Sequence, residues 1–148
     1  MNDSQWQDYT VAGNYFFDEQ EYCCACTNYQ NALSEAEKLL TNSYDISEDI
    51  PVIQILIISY CNLFALCEEV QNITQLRSYI RRATYALTGI LKSSEFPCEV
   101  RNSCKKEIYS LYHSISEYCQ KHHEIIEDSA DSLKEITDVM IKINAHQK

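Results

Sequence analysis

Glycine and proline are nearly missing from this chain: Gly13, Gly89, Pro51 and Pro97 are the only ones in 148 residues. Sheet proteins need frequent turns built from these residues, so the shortage predicts long helices joined by few connections. Two isolated glycines also exclude a Gly-rich phosphate loop. Basic residues are the second shortage: 12 Lys and Arg stand against 22 Asp and Glu, a formal net charge of −10. Nucleic-acid binding takes most of its affinity from Lys and Arg on phosphates, and an anionic membrane would repel such a chain. Neither nucleic acid nor a membrane is therefore expected as a partner. The third shortage is a long uninterrupted apolar run. Residues 51–67, PVIQILIISYCNLFALC, carry no charge but are short for a membrane span and are interrupted by Gln54, Ser59, Tyr60 and Asn62. A buried core helix is the expectation there. The start, MNDSQWQDY, has neither the basic nor the apolar segment of a signal peptide, so a cytoplasmic location is expected.

Cysteine, by contrast, is plentiful. Cys23, Cys24, Cys26, Cys61, Cys67, Cys98, Cys104 and Cys119 mostly fall where an apolar residue would fit. In a reducing compartment they are expected as free thiols acting as small hydrophobes. Hydrophobic residues at 45% and charged residues at 23% are ordinary globular composition, which predicts one folded domain over residues 1–148 rather than disorder.

Apolar periodicity and helix start and stop signals predict an all-α fold of six helices in three antiparallel hairpins, at about 4–41, 50–93 and 97–146. The first helix carries Trp6, Tyr9, Ala12, Gly13 and Phe16 along one side, and the second carries Ala25, Tyr29, Ala32 and Ala36. Large and small apolar residues on both sides of the polar turn Asp18–Glu21 predict a close helix crossing. Asp45 to Asp49 reads as a loop. Pro51 and Pro97 suit the first turns of the third and fifth helices, where no backbone N–H partner is lost. Thr74 is the predicted N-cap of the fourth helix. The stripe from Val100 through Ile143 lacks Gly and Pro, and fits either one long helix or two. Asp128-Ser129 and the capping-box spacing of Ser132 with Glu135 favour two, with the break near residue 128.

Residues 6–39 resemble a tetratricopeptide repeat, a helix–turn–helix unit of about 34 residues. Tyr9 stands at the large aromatic position, Gly13 matches the family's Gly, Phe16 replaces its Tyr, and Ala25, Tyr29 and Ala32 match the second helix. A looser second unit covers residues 60–93 through Leu63, Cys67, Ala83 and Ala86. The resemblance implies a stacked helical array with a concave surface that binds extended peptides or helices of partner proteins, without catalysis or cofactor. Carried over position by position, it implies a groove of Gln7, Thr10, Asn14, Phe17, Phe64 and Glu68, together with Cys61 and Ala65. Asn14 matches the Asn of repeats that clamp a C-terminal carboxylate. Thr10 stands where such repeats carry Lys, and Ala65 where they carry a second Asn. A secretion chaperone is similar in size and acidity, although its repeats are evenly spaced and these are not. Apolar stripes serving a homodimer are a further expectation.

The rival chemistry rests on thiols and imidazoles. Cys23 and Cys26 share a helical face, which suits a reactive pair, and a helix start would lower the Cys23 pKa. Cys119 and His123, four apart, with His122 between them, are the best metal candidates. Neither cluster supplies four ligands. No Glu lies three residues before any of His113, His122, His123 and His146, which removes the di-iron bundle signature. No catalytic constellation is expected.

Overall fold

The computed structural model describes residues 4–42 and 51–146. The fold is all-α: six helices and no strand occur among the described residues. They are α1 (Ser4–Asp18), α2 (Tyr22–Asn42), α3 (Val52–Glu69), α4 (Ile73–Lys92), α5 (Cys98–Lys121) and α6 (Ile126–His146). The loop expected at Asp45 to Asp49 lies outside the described residues. The chain divides into two compact units, Met1–Asn72 and Ile73–Lys148. The hairpin expected over 50–93 straddles that division.

In the first unit α2 packs against both α1 and α3. The α1–α2 crossing is close for a definable reason. A Cβ built on Gly13 would stand 2.5 Å from Cδ1 and Cε1 of Tyr29, so the helices meet where one side chain is absent. Ala25, Ala32 and Ala36 continue the buried small-residue face of α2, with Leu33 and Leu39 beside them. Trp6 is buried and its indole N–H donates to Ser59 Oγ at 2.7 Å, tying α1 to α3. Ser59 in turn donates to the Ile55 carbonyl at 2.8 Å, so this buried polar pair is satisfied. By length and composition α3 alone among the described helices is apolar enough to cross a membrane, and ten of its residues are buried in the protein.

Helices α1 and α3 end in the same way. Gln20 and Gln71 adopt left-handed backbone, φ 61° and 58°. In each case the next N–H reaches back five residues: Glu21 to the Phe16 carbonyl, Asn72 to the Cys67 carbonyl, both at 2.8 Å. With the companion bonds from Gln20 to Phe17 and Gln71 to Glu68, these are Schellman caps with Gln where Gly is commonest. The second cap returns the chain to helical backbone at Ile73, which puts Thr74 inside the first turn of α4 rather than at its N-cap.

In the second unit α4, α5 and α6 pack on one another. Leu76, Ile80 and Leu87 of α4 and the expected α5 stripe of Val100, Cys104, Ile108, Leu111 and Ile115 are all buried. Thr84 and Thr88 are buried as well, each hydroxyl donating to the carbonyl four residues earlier. Residues 98–146 form two helices, but the break lies at 122–125 and not near 128. His122 leaves helical backbone (φ −128°, ψ 93°), and His123–Ile125 make a single 3-10 turn. Arg77 Nη2 donates to the Glu124 carbonyl at 2.7 Å and anchors that turn. Ser132 and Glu135 sit within α6, so their spacing caps nothing.

Candidate functional site

The first unit carries an open groove of about 370 Å³ lined by Asn14, Phe17, Asp18, Tyr29, Asn62 and Ala65. One wall comes from α1, the other from α3, and Tyr29 of α2 closes the floor. Residues 7, 11, 14 and 18 recur at helical spacing, so Gln7, Val11, Asn14 and Asp18 share one face of α1. All four are exposed, Val11 at 66%.

The polar groups are partly committed. The Tyr29 hydroxyl donates to Asn14 Oδ1 at 2.7 Å, which orients the carboxamide and leaves its two N–H groups for a ligand. Burial, and secondarily the Asp18 carboxylate, push the Tyr29 phenol up from its ordinary pKa. The hydroxyl therefore keeps its proton and stays a donor. Neither the Asn62 carboxamide nor the Asp18 carboxylate has a hydrogen-bond or ionic partner among the described residues.

Of the eight groove residues expected from sequence, Asn14, Phe17 and Ala65 line this space, and Cys61 is half-buried on α3. Gln7 is exposed on the same face of α1. Thr10 is half-buried, with a hydroxyl that lacks a partner among the described residues, and Glu68 is half-buried on α3. Phe64 is a correction. It is 0% exposed, packed with its ring 6.4 Å from that of Tyr60, and is a core residue rather than a contact surface. Asp18, expected in the polar turn, instead closes the last turn of α1. In the sequence Asn62 stands out only as an interruption of an apolar run. The signal that marks Asp18 is the unit's charge, and none in the sequence marks the neutral Asn62. Residues 1–72 hold twelve of the 22 acidic residues and one of the 12 basic ones, Lys38, for a net −11. The remaining ten acidic and eleven basic residues give the second unit +1. Lys38 pairs with Glu35 at 3.3 Å on α2, so it does not neutralise the groove.

The metal and redox candidates separate. Helix α5 stops at Lys121, so Cys119 and His123 do not share a helical face, and the paired-ligand geometry expected for them is lost. His122 Nδ1 stands 3.9 Å from Glu124 Oε1. Among the described residues no group of three His, Cys, Asp or Glu is placed to hold a metal ion. All eight cysteines are free thiols. Burial, then the neighbouring Cys23, push the Cys26 thiol up, and burial with Cys26 raises Cys67 to about 11. These shifts lead away from the thiolate that a reactive pair needs.

No curated protein and no solved structure matches the chain. A family model described as "Protein of unknown function (DUF2753)" matches residues 4–147. Because that match spans both units, the chain as a whole belongs to the DUF2753 family.

Proposed function

We propose that the chain is a protein-interaction module without catalytic activity, and that its first unit binds a segment of a partner protein in the α1–α3 groove. The observation that carries this reading is the groove itself: an aromatic floor and wall, Tyr29 and Phe17, beside two carboxamides with unused hydrogen-bonding capacity. Apolar anchors with a few fixed polar groups are how helical grooves hold peptides. The tight Gly13–Tyr29 crossing supports a tetratricopeptide-like packing of the first hairpin, and eight free thiols fit a reducing, cytoplasmic setting.

The test is affinity capture from the source cell with the wild-type chain, Asn14→Ala and Phe17→Ala. Proteins held by the wild type are expected to be lost or depleted with both variants. Retention of every partner by both would end the groove reading.

A further inference from the structure

We infer that the groove selects an extended segment carrying a lysine or arginine, whose cation pairs with Asp18 while Asn14 and Asn62 bond the segment's backbone. The inference rests on the groove-binding reading and adds the chemistry of the occupant. Three observations lead to it.

The first is the conformation that two carboxamides can recognise. Asn14 has spent its oxygen on Tyr29 and offers two N–H donors. Asn62, across the groove, offers both donors and an acceptor. An extended chain presents unpaired C=O and N–H groups that match this set. A docked helix has spent the same groups internally and would leave both carboxamides covered and unpaired, which is costly.

The second is charge. Asp18 stands in the groove with no cation beside it among the described residues. The only basic side chain of the unit is engaged by Glu35, and the unit carries net −11. An acidic segment would meet repulsion both locally and from this field, whereas a basic one is steered in.

The third is the layout along α1. Asp18 lies one turn beyond Asn14, and Val11 one turn before it, exposed to solvent. A segment running along this face would place an apolar side chain against Val11, its backbone at Asn14 and Asn62, and its cation at the Asp18 end.

The experiment is selection of a phage-displayed random dodecapeptide library on the intact chain. Anisotropy titration of the best synthetic peptide against wild type, Asp18→Asn and Glu19→Gln follows. Both variants remove one negative charge, but Glu19 lies on the turn outside the groove lining. Selected peptides are expected to share a lysine or arginine at one fixed position. Asp18→Asn is expected to weaken binding about fivefold, the scale of one ion pair partly shielded from solvent, and Glu19→Gln less than about twofold. Circular dichroism of Asp18→Asn checks that its helices are intact. Peptides selected without a fixed basic position, or equal weakening by both variants, overturn the cation at Asp18 and leave the groove reading standing. Recovery of no binding peptide at all overturns both.

Discussion

The two units of this chain solve one packing problem with opposite chemistry. In the first, helices approach through a missing side chain at Gly13, and aromatic groups with satisfied polar tips, Trp6 and Tyr29, fill the space. In the second, aliphatic stripes meet around buried hydroxyls: Thr84, Thr88, Ser129 and Ser132. The first unit carries the entire net charge and the second is nearly neutral. The glycines make the contrast concrete. Gly13 has an aromatic ring where its Cβ would stand, whereas a Cβ on Gly89 would meet nothing within 4 Å. The same residue type is a packing requirement in one unit and a helix weakness in the other.

Substitution at Gly13 breaks the comparison most strongly. Gly13→Val is expected to destabilise the first unit by about 3 kcal/mol, because the buried Tyr29 ring has its hydroxyl held by Asn14 and cannot swing aside. The emission of Trp6, the only tryptophan, reports that unit, and an unchanged urea midpoint in this signal would refute the tight crossing. Alkaline pH comes next. Burial, with a smaller effect of Glu107, raises the Cys104 thiol from 9.0 to about 12, and its S–H donates to the Leu87 carbonyl at 3.3 Å. The unfolded thiol loses its proton first, so this stability is intact below pH 9 and falls as pH rises toward 12. The slope is about 1.4 kcal/mol per pH unit within that window. Thermal melts of wild type and Cys104→Ala between pH 8 and pH 10 should converge as pH rises, and parallel curves would refute the assignment.

Two smaller effects sharpen the second unit. Ser129 is 1% exposed and its hydroxyl has no hydrogen-bond partner among the described residues. Ser129→Ala removes a desolvated polar group and should stabilise by about 1 kcal/mol, read as a higher denaturant midpoint. Gly89→Ala, on the exposed face of α4, should stabilise by about 0.7 kcal/mol through helix propensity alone. A loss of stability there would mean that the open space beside Gly89 is filled.

Much of the helical plan was legible because its signals are local. Pro51 and Pro97 mark the starts of α3 and α5, and Gly13 facing Tyr29 announces the first hairpin. The α5–α6 break was legible in kind but not in place. Nothing in His122-His123-Glu124 resembles a stop signal, and the turn is anchored by Arg77, a residue 47 positions away. Phe64 illustrates another limit. Helix α3 is apolar on most of its faces, so periodicity alone gives no reason to choose the exposed one, and Asn62 rather than Phe64 joins the expected Ala65 on the groove wall. The carboxylate of Asp18 was visible as a residue but not as a site, because the whole-chain charge of −10 conceals how unevenly it is divided.

The Schellman cap at Gln20 acts as a phase setter. Three residues, Glu19 to Glu21, fix both where α1 stops and the rotational angle at which α2 starts. One residue inserted there would rotate α2 by about 100°. Asn28 would then arrive at the position of Tyr29, setting a carboxamide against Gly13 and taking the hydroxyl away from Asn14. The connection between Lys92 and Cys98 is longer and contains no left-handed residue, so an added residue there can be absorbed in the loop. The chain should therefore tolerate a length change between α4 and α5 and reject one between α1 and α2, where the spacing of the backbone carries as much information as the side chains it aligns.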